Sequence, residues 1–523
     1  MMHRALQIQE ILLNIFGHCH RPRDGGGDQL FDVAALARTC RVFKEPALDV
    51  LWEKLYYTLS PLARCLPGVE ASHKSSSGDY SFHRPLTRIE WDILRSYTRR
   101  VRSIDMKEGV KGLSRTSLIS LSKPPGAEPL FSNVRYLRFQ YTPEDKHLLL
   151  LPLPSLLVLD IQSDDQRSFE RSLKSFAKFS PNLTRLLIHL HHDESNVDMD
   201  HVDPRIICRW QNLQTVDCNM RLDVITLVHL SRMPALTCLS FTLRSTLPDQ
   251  ISPSDPPLIF SNLDELSLHS QLLDPIIRLL SQIRLPAISD VSAFVEFRPS
   301  RRDLSSFLAG VQTSGSAHAV RTLWLVQDFD SYDTHVPEDR PVLVLEDLRP
   351  YMEFSNLRCI NLAIEWKVDL TDSELLALAS KWPHLEKLLI NTKWGWNTQG
   401  GITPNGLLQL LQACQLLTRI ALAIDTRGYT EIPPSPVSLG LTLARLSFIN
   451  VLDSLIEEEC VPAITAFFLG VLPRPKCYFT AWKEPAMGWN PNRDVCQTRW
   501  KHVCRQIKDA ATQSRGHDDQ IHS

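Results

Sequence analysis

The sequence has no marked excess of charge of either sign. Its 57 Lys and Arg residues are balanced by 59 Asp and Glu residues, which gives a formal net charge of -2 at pH 7. Proteins that bind nucleic acid or anionic membranes usually carry a concentrated basic patch. The charge balance therefore predicts neither kind of partner.

Long apolar runs are also lacking. The longest, "HLLLLPLPSLLVL" at residues 147–159, is broken by prolines and falls short of the ~20 residues that span a bilayer. The N-terminus has no basic region followed by an apolar core, so we expect no secretory signal. The twelve cysteines are scattered and form no CxxC pair, which disfavours a zinc ribbon or a redox motif. A reducing compartment, cytoplasmic or nuclear, suits them best.

Catalytic motifs are absent as well. The sequence contains no GxSxG, HExxH, kinase or Walker pattern. The best metal candidate is "HLHHDES" at 189–195, but adjacent histidines on one loop point in different directions and do not converge on an ion. We therefore expect no enzyme activity, no cofactor and no metal site.

The N-terminus is rich in helical periodicity. Apolar residues recur at i, i+3, i+4, i+7 and i+8 in "LQIQEILLNIFGHC" (6–19), and "LFDVAALARTCRVFKEPALDVLWEKL" (30–55) predicts two more short helices. Pro46 is expected in the first turn of the last helix, where its missing N–H costs nothing. Three short helices cannot hide all of these apolar side chains, so some should face another protein.

The combined pattern "ALQIQEILLNIF…VAALARTCRVFKEPALDVLWEKL" resembles the F-box, and its second part is similar to fungal F-box proteins. The resemblance implies an F-box over residues 1–60 that binds the Skp adaptor of SCF-type cullin–RING ubiquitin ligases. The family usually opens with Leu-Pro where this chain has Ile8-Gln9. The adaptor-binding positions that the resemblance implies are Ile8, Ile11, Leu12, Ile15, Phe16, Leu36, Cys40, Phe43, Pro46, Leu51 and Trp52. In the alternative interpretation, the three helices form only a cap on whatever follows.

A repeat fills most of the remaining chain. An apolar-x-x-apolar-x-apolar pattern occurs thirteen times, from "VRSIDM" (101–106) to "LARLSF" (443–448), at start-to-start intervals of 22 to 37 residues. This is the leucine-rich-repeat signature. Each copy predicts a short strand with one buried face, and amphipathic stretches between copies predict helices. The apolar fourth and sixth positions should be buried, among them Leu137, Leu186, Leu239, Leu266, Leu323 and Leu388.

The predicted fold is therefore α/β, with a three-helix F-box followed by a leucine-rich-repeat solenoid, a horseshoe of about thirteen rungs of parallel strands. A linker loop and helix would occupy 61–100 and the solenoid 101–455. A C-terminal cap would cover 456–508, and a disordered tail 509–523.

Alternation along the strands predicts which side chains face solvent. The expected open face carries Tyr136, Arg138, Asp160, Arg185, Asp217, Ser240, Glu265, Ser267, Trp324, Asn361, Lys387 and Arg419. Tryptophans in neighbouring loops would extend Trp324 into an aromatic patch beside lysines, the composition of a binding hot spot. The predicted target-binding residues are Trp324, Asn361, Trp366, Lys387, Lys393, Trp394 and Trp396. In the alternative interpretation, the loop tryptophans pack together and stiffen the rim.

Two functions follow. In the first, the chain is the substrate-recognition subunit of an SCF-type ligase: the N-terminal helices bind the Skp adaptor, and through it a cullin–RING ligase, while the solenoid holds a protein target. In the second, it is a non-ligase leucine-rich-repeat scaffold whose N-terminal helices only cap the stack. Neither needs nucleic acid or a membrane.

Overall fold

The computed structural model describes residues 8–19, 30–67, 69, 80–82, 84–106, 112–126, 128–141, 151–163, 166–190, 202–243, 251, 256–328, 340–397, 401–430, 445–472, 477–483 and 492–521. The chain divides into two compact units, Met1–Leu236 and Thr237–Ser523. Each unit is described by itself.

The first unit opens with three helices, α1 (Gln9–Cys19), α2 (Leu30–Thr39) and α3 (Arg41–Trp52). They enclose a small core of Leu12, Phe16, Val33, Ala47 and Val50. The prediction for Pro46 is wrong. The N-cap of α3 is Cys40, so Pro46 is the sixth residue of the helix. Because proline has no backbone N–H, the carbonyl of Val42 lacks the donor that residue 46 would otherwise supply. Apolar periodicity reports which side of a helix is buried and not where its hydrogen bonds begin.

Six parallel strands follow one another in the first unit. They are β1 (Lys54–Tyr56), β2 (Ser103–Met106), β3 (Tyr136–Tyr141), β4 (Val158–Ser163), β5 (Arg185–Leu190) and β6 (Thr215–Arg221). The helices between and after them are α4 (Ser60–Arg64), α5 (Arg88–Thr98), α6 (Arg115–Leu121), α7 (Gln166–Phe179) and α8 (Val224–Ser231), with a 3-10 turn at Pro204–Arg209. The predicted linker helix is α5, which begins with a Thr87–Glu90 capping box.

Within its described residues, the second unit has a sheet of nine parallel strands. They are β7 (Cys238–Thr242), β8 (Glu265–Ser270), β9 (Asp290–Val295), β10 (Thr322–Gln327), β11 (Cys359–Ala363), β12 (Lys387–Ile390), β13 (Arg419–Ala421), β14 (Phe448–Asn450) and β15 (Tyr478–Thr480). Two short parallel pairs lie outside this sheet, Leu258–Ile259 with Ile283–Arg284 and Val342–Leu343 with Lys367–Val368.

The helices of the second unit are α9 (Asp274–Gln282), α10 (Arg301–Ser314), α11 (Leu345–Leu348), α12 (Asp372–Ala379), α13 (Pro404–Ala413), α14 (Val461–Val471) and α15 (Arg493–Ile521), with 3-10 turns at Arg349–Glu353 and Glu458–Cys460. Helix α15 starts where the C-terminal cap was predicted. It runs on through 509–521, where composition suggested a disordered tail, so the structure differs from that expectation.

A buried ladder runs across the strands of each unit. In the second unit, Leu239, Leu266, Val291, Leu323, Ile360, Leu388 and Ile420 are in register, and each is buried. The six leucines predicted to be buried are all 0–1% exposed. The prediction of an α/β repeat with parallel strands is therefore confirmed, and every one of the thirteen copies contains or adjoins a strand.

The structure adds a strand at each end of the repeat and corrects one register. β1 places Leu55 on the ladder beside Ile104, and β15 places Phe479 beside Ile449. The last predicted copy, "LARLSF", is shifted by three residues, because the ladder residue is Ile449 and not Leu446. Two overlapping apolar patterns share Leu446, and the sequence alone does not separate them.

Candidate protein-interaction surfaces

The N-terminal helices divide the predicted adaptor-binding residues into three groups. Leu12, Phe16 and Pro46 are buried, so they shape the module and are not open to a partner. Leu36, Cys40, Phe43, Leu51 and Trp52 are half-buried. The exposed members are Ile8, Ile11 and Ile15, at 47%, 36% and 43%. Of the predicted adaptor-binding residues, only this last group is exposed enough to contact a partner directly.

The exposed isoleucines form one stripe. Spacings of three and four residues place Ile8, Ile11 and Ile15 on the same side of α1, next to the side that Leu12 and Phe16 bury. Sequence reasoning missed two further exposed side chains, Phe31 on α2 at 85% and Val42 on α3 at 44%. These five residues are called the N-terminal apolar surface. Phe31 does not depart from the apolar periodicity of its helix, so nothing in the sequence indicated that its side chain is exposed.

Trp52 lies at a junction and not on this surface. Its ring is 4.7 Å from the ring of Tyr97 on α5, and it stands three residues before the ladder residue Leu55. Arg100 is ion-paired with Glu45 and Asp49 of α3, and its hydrogen bond lowers the pKa of Glu45. These contacts join the three helices to the first rungs of the same unit. The role of Trp52 in the structure is therefore internal.

The open face of the first unit carries an acidic row. Its member Asp160, and Ser240 in the second unit, are buried, so the prediction that these two side chains face solvent is wrong. Asp105, Arg138, Asp160, Leu187 and Asp217 are in register across β2–β6. Arg138 Nε lies 3.0 Å from Asp160 Oδ2, while Asp160 Oδ1 is buried without a hydrogen-bond partner. Burial raises the pKa of Asp160, and Arg138 opposes that shift. Three carboxyls and one cation give this row its acidic character.

The open face of the second unit changes character along its length. Glu265 and Asp290 lie at one end of a register row, and Lys387 and Arg419 lie farther along it. The row ends in two aromatic residues, Phe448 and Tyr478. Adjacent strands are ~4.8 Å apart, so the row changes from acidic to basic to aromatic over a few such steps.

The basic and aromatic end is held together by ring contacts. The Arg419 guanidinium lies 4.8 Å from the centre of the Phe448 ring, which stacks on Tyr478 at 5.7 Å and 11°. The Lys483 ammonium lies 4.9 Å from the Tyr478 ring. Arg419 is exposed and Tyr478 is 49% exposed. Lys387, Arg419, Phe448, Tyr478 and Lys483 are called the cation–aromatic cluster. Phe448 was not predicted on this face because the register of its copy was wrong, and Tyr478 was not predicted because its strand, β15, was not.

Trp324 belongs to the open face but is not free. It is half-buried between Ser292 and Asn361 in the register, and its indole N–H donates to Cys359 Sγ at 3.2 Å. Burial raises the pKa of Cys359. Asn361 is likewise half-buried, with a buried Oδ1 that has no hydrogen-bond partner. The ring of Trp324 is therefore held against the sheet, and only part of it is open to a partner.

The predicted aromatic patch in the loops is wrong for three tryptophans, because Trp366, Trp394 and Trp396 are buried. The Trp366 and Trp396 indoles donate to the carbonyls of Pro299 and Ile390 at 3.2 and 3.0 Å. Their burial fits a structural role for these rings, which is one part of the alternative interpretation.

The rim loop closes on a buried carboxylate. Asp453 accepts the backbone N–H groups of Trp396 and Asn397 at 2.7 and 2.8 Å. Gly395 makes this possible, since its φ of 72° is left-handed and a Cβ there would stand 2.7 Å from the carboxyl carbon of Asp453. Lys393 is ion-paired with Asp328 at 3.1 Å and stands 5.7 Å from the Trp394 ring. Lys393 is thus engaged within the rim.

The described ranges hold neither a membrane span nor a metal cluster. No helix there is long and apolar enough to cross a membrane. No group of three or more His, Cys, Asp or Glu residues could hold a metal ion in the part of the chain that the structure covers. Residues 191–195 of the "HLHHDES" motif lie outside the described residues.

Comparison with known proteins finds similar solved structures only. No family model matches the chain. No curated protein matches it either. Among similar solved structures, the Rad7 and Elc1 complex in yeast is 14% identical with a TM-score of 0.35, over 81% of this chain and 91% of that chain. The TLR13–ssRNA13 complex is 12% identical with a TM-score of 0.36, over 80% of this chain and 50% of that chain. Such values carry no argument about partners.

Proposed function

We propose that this protein is the substrate-recognition subunit of an SCF-type ubiquitin ligase. The observation that carries the proposal is the N-terminal module, which completes its own core and still leaves the N-terminal apolar surface open. A Phe that is 85% exposed on a module with its own core has no folding role. Together with the F-box pattern of the sequence, this surface supports binding to the Skp adaptor.

The adaptor interface is proposed to use the exposed residues. Ile8, Ile11 and Ile15 form its stripe on α1, and Phe31 and Val42 add apolar area from α2 and α3. Burying one such side chain contributes roughly 1.5–3 kcal/mol. Leu12, Phe16 and Pro46 act indirectly by fixing the helices. Trp52 is not proposed as a hot spot, because Tyr97 already covers it.

The target is proposed to bind the cation–aromatic cluster of the second unit. No carboxylate of the described residues forms an ion pair with Lys387 or Arg419. Arg419 lies over Phe448 and keeps its exposed edge toward solvent. A segment with acidic residues followed by an aromatic or apolar residue matches this order of charges and rings. This surface replaces the loop tryptophans as the proposed target site.

The chain itself is proposed to do no chemistry. A target held by one subunit of a ligase meets the ubiquitin-charged enzyme at a high effective concentration, which converts a bimolecular step into an effectively intramolecular one. The contacts of Arg100 and Trp52 fix the adaptor-binding helices on the first unit. Rigid attachment of this kind favours a defined orientation of the adaptor.

Co-purification from cells tests the proposal. The tagged full chain should recover the Skp adaptor and a cullin, and Ile11→Glu with Ile15→Glu should abolish that recovery. Ile225→Glu is the matched control, because Ile225 is 55% exposed on the repeat helix α8. Absence of the adaptor from the wild-type preparation would refute the ligase role.

One observation favours the scaffold alternative. Strand β1 follows α3 directly and pairs with β2, so the N-terminal helices also cover the first rung. A cap needs this arrangement and nothing more. A wild-type chain that recovers a target but neither adaptor nor cullin would support the scaffold.

A further inference from the structure

Two arginines follow neighbouring strands of the second unit. Arg298 comes three residues after β9, and Arg340 lies on the connection that leaves β10. The ends of these strands are in register, with Val295 opposite Gln327. Because the strands are parallel, their carboxyl ends lie at the same edge of the sheet.

Hydrogen bonds bring the two arginine segments onto one turn. The Trp366 indole donates to the carbonyl of Pro299, which directly follows the first arginine, at 3.2 Å. The backbone N–H of Lys367 donates to the carbonyl of Pro341, which directly follows the second arginine, at 2.8 Å. Adjacent residues of one turn, Trp366 and Lys367, thus hold both segments.

Both guanidinium groups have buried donors without acceptors. Arg340 is only 8% exposed, and its Nε and Nη1 have no hydrogen-bond partner. Arg298 is half-buried, and its Nη1 is likewise buried and unpaired. An unsatisfied buried donor costs about 1–3 kcal/mol, and more when the group is charged. Two other arginines of the second unit do not bear this cost: Arg301 is paired with Asp347 at 3.3 Å, and Arg358 with Glu386 at 3.2 Å.

Carboxylates of the described residues do not complete these two groups. Glu365 and Asp453 attract Arg340 electrostatically, whereas burial and Arg298 lower its pKa. Asp453 already accepts two backbone N–H groups. Within the described residues, neither Arg298 nor Arg340 forms an ion pair.

We propose that Arg298 and Arg340 form a binding site for a phosphate group. A tetrahedral phosphate presents oxygens in several directions, so it can accept from two guanidinium groups at once, and its charge offsets both. Glu365 and Asp453 weaken the site by repulsion, so the expected affinity is modest. The proposal does not depend on the ligase role, because it concerns a different edge of the second unit.

Thermal unfolding of the full chain with inorganic phosphate tests the site. Sodium phosphate at roughly 10 mM is compared with sodium chloride of equal ionic strength. Phosphate should raise the wild-type Tm by roughly 2–4 °C. The Arg302→Gln control, at an exposed neighbour on α10, should keep that rise. Arg340→Gln and Arg298→Gln should lose it.

Both arginine variants should still fold, because each substitution removes a charged group whose buried donors have no partner. Without phosphate, Arg340→Gln should unfold at the wild-type Tm or above it. A lower Tm, or an equal phosphate effect in Arg340→Gln and wild type, would overturn the proposal. So would a wild-type protein that does not respond to phosphate. Sodium acetate at equal ionic strength should have no effect, and an equal rise with acetate would show that the site does not select phosphate.

Discussion

Each unit has a buried ladder of its own, but the two units differ in the residues beside it. In the first unit the row next to the ladder is acidic, with Asp105, Asp160 and Asp217 around one cation. That row follows the ladder residue, whereas in the second unit the row that precedes the ladder residue ends in Lys387, Arg419 and two stacked rings. The ladder is set by the need to bury apolar area, which is the same in every rung. The neighbouring positions are free of that need, so they can differ and carry recognition.

The largest expected effect tests the ladder itself. Leu323→Ala and Leu186→Ala should each lower the free energy of unfolding by ~2–5 kcal/mol, because both remove a buried side chain from a packed rung. Denaturant unfolding of each variant measures the loss. Ser267→Ala on the open face is the control and should change stability by less than ~0.5 kcal/mol. If either substitution left the free energy of unfolding almost unchanged, the buried ladder would not stabilise both units alike.

Charge reversal on the second face tests recognition. Arg419→Glu should weaken target capture at least tenfold, about 1.4 kcal/mol, and leave the Tm unchanged because Arg419 is exposed. Capture is quantified by proximity labelling with the full chain. Lys381→Glu makes the same charge change at an exposed position just beyond α12 and should retain capture. Equal capture by Arg419→Glu and wild type would exclude the cation–aromatic cluster as the target site.

The acidic row predicts a pH effect in the first unit. The pKa of Asp160 is raised, so the folded chain holds this proton more tightly than the unfolded chain and the charged carboxylate is disfavoured. The resulting penalty is absent below the ordinary Asp pKa and develops as the pH rises through the folded pKa. Asp160→Asn should therefore raise the Tm at pH 7, by up to roughly 4 °C, with no gain near pH 3.

Arg138→Met sharpens this test. Removal of the cation 3.0 Å from Asp160 should make the charged carboxylate still less favourable and increase the loss of stability with rising pH. A gain from Asp160→Asn that is the same at both pH values would contradict the assignment to this carboxyl.

The smallest effect concerns Trp324. Trp324→Phe removes the N–H donor to Cys359 but keeps most of the ring. The cost should be about 1 kcal/mol or less, since sulfur is a weak acceptor, and target capture should not change. Calorimetric unfolding measures the first quantity. Strong loss of capture would restore Trp324 as a recognition residue.

Sequence periodicity predicted the ladder well and the surfaces less well. Leu137, Leu239 and Leu388 are buried because an apolar residue in every rung has only one favourable place. The loop tryptophans follow no period, so their burial depends on contacts such as Trp366 with Pro299, which are distant in sequence. Phe448 was misplaced because two apolar patterns overlap at Leu446.

Partners within the chain were the other limit. Trp52 matched an expected interface position, but Tyr97 on α5 covers it. The sequence also contains no sign that buried donors of Arg298 and Arg340 lack an acceptor, because that depends on the tertiary structure. Sequence patterns give the side of an element that is buried, whereas the neighbour that buries it is a tertiary property.

The most direct test of the proposed ligase role is a calorimetric titration of purified Skp adaptor into the full chain. We predict saturable binding with one adaptor per chain, at least tenfold weaker in the Ile11→Glu, Ile15→Glu double variant and unchanged in Ile225→Glu. Absence of binding by the wild type, or equal binding by the double variant, would contradict the account.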